Sequence, residues 1–294
     1  MVSRLLQGLC DGVVQPKQKM GRPKARFSDI IFGAVMKVYG THSGRRTDCE
    51  IRDCASKGFI SYAPHYNTLF KYLEDPLITP ILRQMIENSS LPLQGVERDF
   101  GPDSTGVASD VYLRWFDEKF GKPANQLVWS KVHMMVGLKT KIVAAVEITN
   151  AGTHDNTQFE SLFNATIRNF RIRDLCADKA YLSKDNLELI SSHGAVPYIP
   201  FKSNTTGEGP ELWRKMYHMF QFNREEFMDH YHKRSNAESA MWMIKSKFGE
   251  RVRSRTPVAQ ENEVLCKVLC HNLTVLVHSM FKHNIEIPFL KIAA

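Results

Sequence analysis

Apolar residues recur along this chain in two rhythms, and the change between them falls near Val96. Before it, short blocks at the helical period predict four helices. Ser28 caps the first, which runs from Asp29 to Tyr39 and stops at Gly40. Thr47 and Glu50 have the spacing of a capping box and open the second, to about Ser56. The third spans Pro64 to Leu73 after a Lys57-Gly58 turn, and Thr79-Pro80 opens the fourth. His65, Asn67, Thr68 and Lys71 share the outer face of the third. That arrangement suits either a helix-turn-helix that reads DNA or an all-helical packing module. Residues 1–26 carry no such period and are expected to be loosely structured.

After Val96 the apolar runs shorten and fill. Arg98-Asp-Phe-Gly-Pro leads to Asp103, which is followed by Ser104-Thr105-Gly106. Val128 to Leu138 and Ile142 to Ile148, joined by Lys139-Thr-Lys141, predict an antiparallel hairpin. Thr153 caps a helix through about Arg168, and Asp174 to Ala177 forms a short buried strand whose end carries Asp178. A helix near Lys184–Ser192 and a strand from Ala195 to Ile199 follow. Residues 201–228, polar and then helix-prone around Trp213, suit a small lid or a DNA-contacting loop. The longest apolar stretch, Val264 to Phe281, is interrupted by Lys267, His271, Asn272 and His278, so it reads as a buried helix and not a membrane span.

Tyr231 to Lys245 carries two patterns at once. It reads as a helix closed by Gly249 after Phe248. Stepping ~100° per residue, Ala237, Ala240, Met241, Ile244 and Phe248 form one apolar face, while Tyr231, Arg234, Glu238 and Lys245 share a separate narrow stripe. Most such stripes are solvated surface with an Arg–Glu pair four residues apart. Trp242 borders this one and is expected to pack on a neighbouring helix, base stacking being the other reading.

Charge narrows the field of partners. Against 31 acidic residues stand 39 basic ones, a net charge of +8 in 294 residues, with 43% apolar content sufficient for a packed core. Such an excess suits nucleic acid. Gly21-Arg22-Pro23, flanked by lysines, is either a minor-groove hook or a plain basic linker. The six cysteines lack the spacing of a secreted scaffold, which suggests free thiols in a reducing cytoplasm. Cys266, Cys270 and His271 have too few companions for a structural zinc site and read as buried apolar positions. The Asp103-Ser-Thr-Gly stretch occurs once, so an aspartic protease is set aside; a simple Asx-turn is the plain reading.

The spacing Tyr231, two residues, Arg234, three, Glu238, six, Lys245 resembles the signature of prokaryotic insertion-sequence transposases with a Tyr-Arg-Glu-Lys motif, a branch of the DDE transposases. The segment Ala177-Asp178-Lys179-Ala180-Tyr181, ahead of Pro197-Tyr198-Ile199-Pro200, is similar to that family as well. The resemblance implies an α/β, ribonuclease-H-like mixed five-stranded sheet with flanking helices, preceded by an all-α N-terminal domain. It implies a basic arm over 1–26, a helical DNA-binding domain over 27–94, a catalytic domain over 95–284 and a tail over 285–294.

By that resemblance Asp103, Asp178 and Glu238 are the catalytic and metal-binding carboxylates, and Tyr231, Arg234 and Lys245 hold DNA. Three acids gathered together repel, and hard divalent cations relieve them: two Mg²⁺ or Mn²⁺ ions are expected. The implied activity is cleavage at transposon ends and strand transfer to target DNA. Lys247, Arg251, Arg253 and Arg255 extend the basic path, or are merely solvated. The implied partners are double-stranded DNA, as terminal repeats and target, and a second copy of the chain in a synaptic complex. No membrane is expected, and the setting is the cytoplasm at the nucleoid. His154-Asp155 is read as an ordinary helix N-terminus. A metal-dependent nuclease that does not join strands, and a silent DNA-binding regulator, are the other readings.

Overall fold

The computed structural model describes residues 1–17, 20–21, 24–109 and 129–290. Arg22 and Pro23 of the hook-like tripeptide, Val128 at the start of the expected hairpin and the last four residues of the tail lie outside them.

The chain begins with a helix where a loose arm is expected. Helix α1 spans Val2–Asp11 and buries Leu5, Leu6, Leu9 and Cys10. Its apolar positions keep the i, i+3, i+4 rhythm over ten residues, a span too short to stand out against the polar stretch after it. Helices α2 (Phe27–Tyr39), α3 (Gly44–Ser56), α4 (Tyr66–Leu73) and α5 (Ile78–Ser90) follow. Thr47 does not open α3: it lies one turn inside, and its hydroxyl donates to the Ser43 carbonyl at 3.0 Å. The α4 face expected to be outermost is indeed exposed at His65, Asn67 and Lys71.

Strand β1 runs Asp99–Ser109, β2 Trp129–Gly137 and β3 Val143–Asn150, and the three pair antiparallel. Strands β4 (Asp174–Cys176) and β5 (Val196–Tyr198) join parallel on the other side of β1, giving the order β3-β2-β1-β4-β5. This is a mixed α/β sheet with flanking helices, as expected, with one addition. A two-residue strand, β6 (Arg251–Val252), pairs parallel with the far end of β1, making six strands. Pairing of β1 with β4 ends at Phe100, ahead of Pro102, whose ring nitrogen has no hydrogen to donate to a ladder. An Asx-turn at Asp103 is therefore excluded, because that residue lies mid-strand opposite Met134.

Helices α6 (Asn156–Ile167) and α7 (Lys184–Ser192) lie in the crossovers, and α8 (Glu211–Phe222) and α9 (Arg224–Tyr231) precede α10 (Ser235–Phe248). Residues 201–228 are a packed helical hairpin and not an open lid. Phe201 meets the rings of Trp213, Tyr217 and Phe220 at 5.0, 5.3 and 5.8 Å. The last helix, α11 (Pro257–His283), is long and apolar enough to cross a bilayer, yet it is mostly buried within the fold. Its polar residues serve as internal ties. Asn272 exchanges hydrogen bonds with the backbone of Val143 at 2.8 and 2.9 Å, and Asn262 donates to the Leu73 carbonyl at 2.9 Å. One helix thereby links the sheet to α4 and α5. The thiols of Cys266 and Cys270 are buried, and His271 bonds the Lys141 carbonyl at 2.8 Å, so the three do not form a metal site.

Candidate active site

Two strands and two helices carry the candidate residues. The β1–β4 register pairs Asp99 with Asp174 and Phe100 with Leu175. Carried forward, the same register sets Asp178 level with Asp103. Asp178 caps the short 3₁₀ turn Lys179–Tyr181, accepting from the Ala180 amide at 2.9 Å. Asp103 accepts from the Ser104 amide at 2.9 Å.

Helix α10 docks on the sheet face that carries Asp103. Its buried residues are Ala237, Ala240, Met241, Ile244 and Phe248, the five assigned to the apolar face. Met241 and Ile244 line a small cavity together with Thr105 and Val107, which share the parity of Asp103 along β1. The stripe beside that face is not one continuous helix. Tyr231 ends α9, His232–Arg234 form a 3₁₀ turn, and α10 begins at Ser235. Even so, Arg234 reaches both neighbours: its guanidinium lies 6.0 Å from the Tyr231 ring centroid and pairs with Glu238.

A charge network fixes that turn. Lys233 lies 3.0 Å from Asp99 and 3.1 Å from Asp174, and His230 bonds Asp174 at 2.7 Å while stacking on Tyr198. Arg173 completes the set with a two-pronged bond to Asp99 at 3.0 and 2.6 Å. The residues flanking Arg234 are thus tied to the first positions of β1 and β4, the strands that carry Asp103 and Asp178.

Electrostatics shows which side chains share a site. Burial pushes the Asp103 carboxyl above its ordinary range, and the negative charges of Glu238 and Asp155 push the same way, against Arg234. Tyr181, fully enclosed, feels Asp155, Asp103, Asp178 and Arg234 together, after burial itself. Asp103 is thus within electrostatic reach of Glu238, Arg234 and Asp155, and Tyr181 within reach of Asp103 and Asp178. Lys245 sits apart, half-buried beside Thr105 and Val268, and Tyr231 touches the site through Arg234.

Asp155 belongs to this neighbourhood, which its reading as a helix N-terminus misses. It pairs with Lys131 at 2.8 Å and with buried His133 at 3.1 Å. Burial alone would raise its pKa, but those bonds and the positive charge of Lys131 hold it below the usual range. Alternation along β2 puts Lys131 and His133 on one face, but nothing local says that Asp155 meets them. Trp242 also departs from expectation: it is 69% exposed, because the docked face lies on the other side of α10.

The donors suit a hard cation. They are all oxygens, and the crowding of negative charge at Asp103 is what a cation relieves. As they stand, no three metal-ligating side chains among the described residues are gathered closely enough to chelate an ion. Glu238 is held by Arg234 instead.

A family model for the transposase DDE domain matches residues 103–273, more than half of the chain. The chain belongs to the DDE transposase family. The match starts at Asp103 and includes Asp178, Glu238 and most of α11. Among solved structures, the chain is similar to the piggyBac transposase synaptic complex with hairpin DNA, determined by cryo-electron microscopy. That similarity is 11% in sequence with a TM-score of 0.47, over 97% of this chain and 74% of the other. At that level it bears on neither the activity nor the partners of this transposase.

Proposed function

We propose that the transposase cuts DNA at the ends of a mobile element and joins the freed 3′ ends to target DNA. The family match over 103–273, which takes in Asp103, Asp178 and Glu238, supports this reading, together with the β1–β4 register and the Arg234–Glu238 pair. Asp103, Asp178 and Glu238 would hold divalent metal, Mg²⁺ or Mn²⁺, as two ions. When bound, the metal supplies Lewis-acid activation of the attacking oxygen and stabilisation of the leaving one. Glu238 becomes available to it when Arg234 turns from the carboxylate to a DNA phosphate, an exchange of one anion for another. Tyr231 steadies the guanidinium, and Lys245 with Lys247 continues the phosphate grip along α10. Asp155, anchored by Lys131 and His133, adds a further negative charge near Asp103. The exposed Trp242 indole, one turn beyond Glu238, supports a stacking role against an unpaired base.

The helical region over 27–94 would recognise the terminal repeats, and a homodimer would hold two ends in one synaptic complex at the nucleoid. One assay decides the chemistry: purified protein, inverted-repeat DNA, target plasmid and Mg²⁺. Joined products support transposition, nicks alone a nuclease, and binding without cleavage a regulator. Asp178→Asn is expected to abolish cutting and joining while duplex affinity stays within about twofold, since a neutral isostere leaves the surface charge grip intact. A variant that still cuts removes Asp178 from the metal set.

A further inference from the structure

Away from the carboxylates, a cleft of about 470 Å³ opens where α2 and α3 meet the segment after β6. Lys37 is one of its lining residues. Lys37, in the last turn of α2, is only 8% exposed, yet among the described residues its ammonium makes no hydrogen bond or ion pair. Its near partner is the face of Phe70, 5.1 Å away. Its stem is buried against Phe70 while the unpaired ammonium is left at the cleft, where it can meet an anion.

The walls repeat the sign of Lys37. Arg253 and Arg255 line the cleft on the side of the β6 segment. That segment is held by Glu263, which accepts from the amides of Arg253 and Ser254 at 3.0 and 2.8 Å, so its carboxylate is spent on backbone. Across the cleft stands the start of α3, where Ser43 at the N-cap makes no side-chain cap bond. A helix start without a side-chain cap leaves first-turn amides for another acceptor, which favours anions. The loop delivering them is fixed: Arg253 donates to the carbonyl of Thr41 at 3.0 Å, and Thr41 itself is left-handed, with φ of 54°. Gly44 lets the helix start close against the aromatic wall, since a Cβ there would meet Phe70 at 2.9 Å. Glu74 is the acidic group on the rim.

We infer that this cleft is a second anion site, built to seat a backbone phosphate of duplex DNA apart from the catalytic carboxylates. The inference rests on the transposase reading for its choice of polyanion. The path from one site to the other is physical: Lys247, on the last turn of α10, lies over the Tyr39 ring at the end of α2, and Tyr39 packs on Phe248. A duplex running along α10 past Lys245 and Lys247 would therefore bring its phosphates to Lys37, Arg253 and Arg255.

The test uses the full-length protein, a fluorescein-labelled mixed-sequence duplex and anisotropy titrations over a range of salt concentrations. Lys37→Met and Arg255→Gln, alone and combined, are compared with wild type and with Asp178→Asn, all checked for folding by thermal melting. Each cleft variant is expected to weaken binding several-fold and to flatten the log–log salt slope by about one, while Asp178→Asn leaves the slope unchanged. Arg255 is exposed, so its variant stays informative even where Lys37→Met fails to fold. Inorganic phosphate serves as the small-anion arm. If it protects wild type from thermal unfolding while both variants keep the wild-type duplex slope, the cleft takes free anions and the DNA assignment is overturned. An unchanged slope without phosphate protection overturns the site altogether. Loss of end cutting and joining by wild type, with the slopes behaving as expected, would instead sink the transposition chemistry and leave the cleft standing.

Discussion

A Cβ placed on Gly101 would lie 2.7 Å from the carbonyl oxygen of Cys176. Strands β1 and β4 approach so closely just past their last paired residues that no side chain fits between them, and Asp103 and Asp178 lie two residues further along each. Gly101→Ala is expected to push the strands apart, at a cost of about 1–3 kcal/mol, the usual range for overpacking a tight contact. Urea denaturation reads the loss as a lower midpoint at unchanged slope. DNA nicking with Mg²⁺ should fall further than the fraction folded, because the two carboxylates lose their common level. A midpoint and a nicking rate equal to wild type would show that the close approach does not set the site.

Lys233 bridges Asp99 and Asp174 at the opposite end of the same strands. Its ammonium is raised by those two carboxylates against the opposing effect of burial, and Asp99, which burial alone would raise, is held low by Arg173 and Lys233. Lys233→Met leaves Asp174, 2% exposed, with one charge partner fewer. The expected cost is about 1–3 kcal/mol, below the range for a fully buried pair because Lys233 is one-third exposed. The sign with pH follows from Asp99. A depressed carboxylate contributes stability above its unfolded value near 3.8 and loses it as pH falls, so wild type and variant should converge on acidification. Denaturant melts at neutral and acid pH measure both.

Trp242 is 69% exposed on the helix that carries Glu238. Trp242→Ala should leave stability within about 0.5 kcal/mol, as exposed substitutions do. Affinity for DNA with an unpaired terminal base should drop by about 1–3 kcal/mol, the worth of one stacked base, while fully paired duplex is affected less. Equal losses on both DNAs would point to a general surface effect and remove the stacking role.

His271 sets an acid limit on the fold. Burial pushes its imidazole down to about 4 from an ordinary 6.5, while its Nε2 bonds the Lys141 carbonyl. The folded protein therefore keeps this ring neutral where the unfolded chain protonates it. Stability from this group is complete above about pH 6.5, declines as pH falls from there towards 4, and changes no further below. The span is on the order of 3 kcal/mol. His271→Gln, which retains a donor for the carbonyl, should flatten that decline relative to its own neutral-pH value. A variant whose stability falls as steeply as wild type would assign the acid sensitivity elsewhere.

Much of the site was legible because helical spacing is a local property. Counting residues from Tyr231 places Arg234 beside Glu238 and puts Ala237, Ala240, Met241, Ile244 and Phe248 on the docked side, whatever the rest of the chain does. The 3₁₀ turn at His232–Arg234 escapes such counting, since it is imposed by the Lys233 and His230 bonds to strands more than fifty residues earlier. Asp155 escapes it for the same reason: a carboxylate at a helix N-terminus has a sufficient local explanation, and its bonds to Lys131 and His133 come from β2. Helix α1 was missed because ten residues give a weak period, and what holds them is packing against α2 and α11.

Local spacing by itself determined the element types, the apolar face of α10 and the acid, base and phenol that share its stripe, because these depend on residues within a few turns of one another. It also supplied the basic excess that selects a polyanion as partner. Only the tertiary structure decided that β4 lies next to β1 in a register that levels Asp178 with Asp103, that Asp155 meets Lys131 and His133, and that Lys37 shares a cleft with two arginines from the far end of the chain. Those relations are set by close packing and long-range charge pairing, which act between residues that no count along the chain brings together.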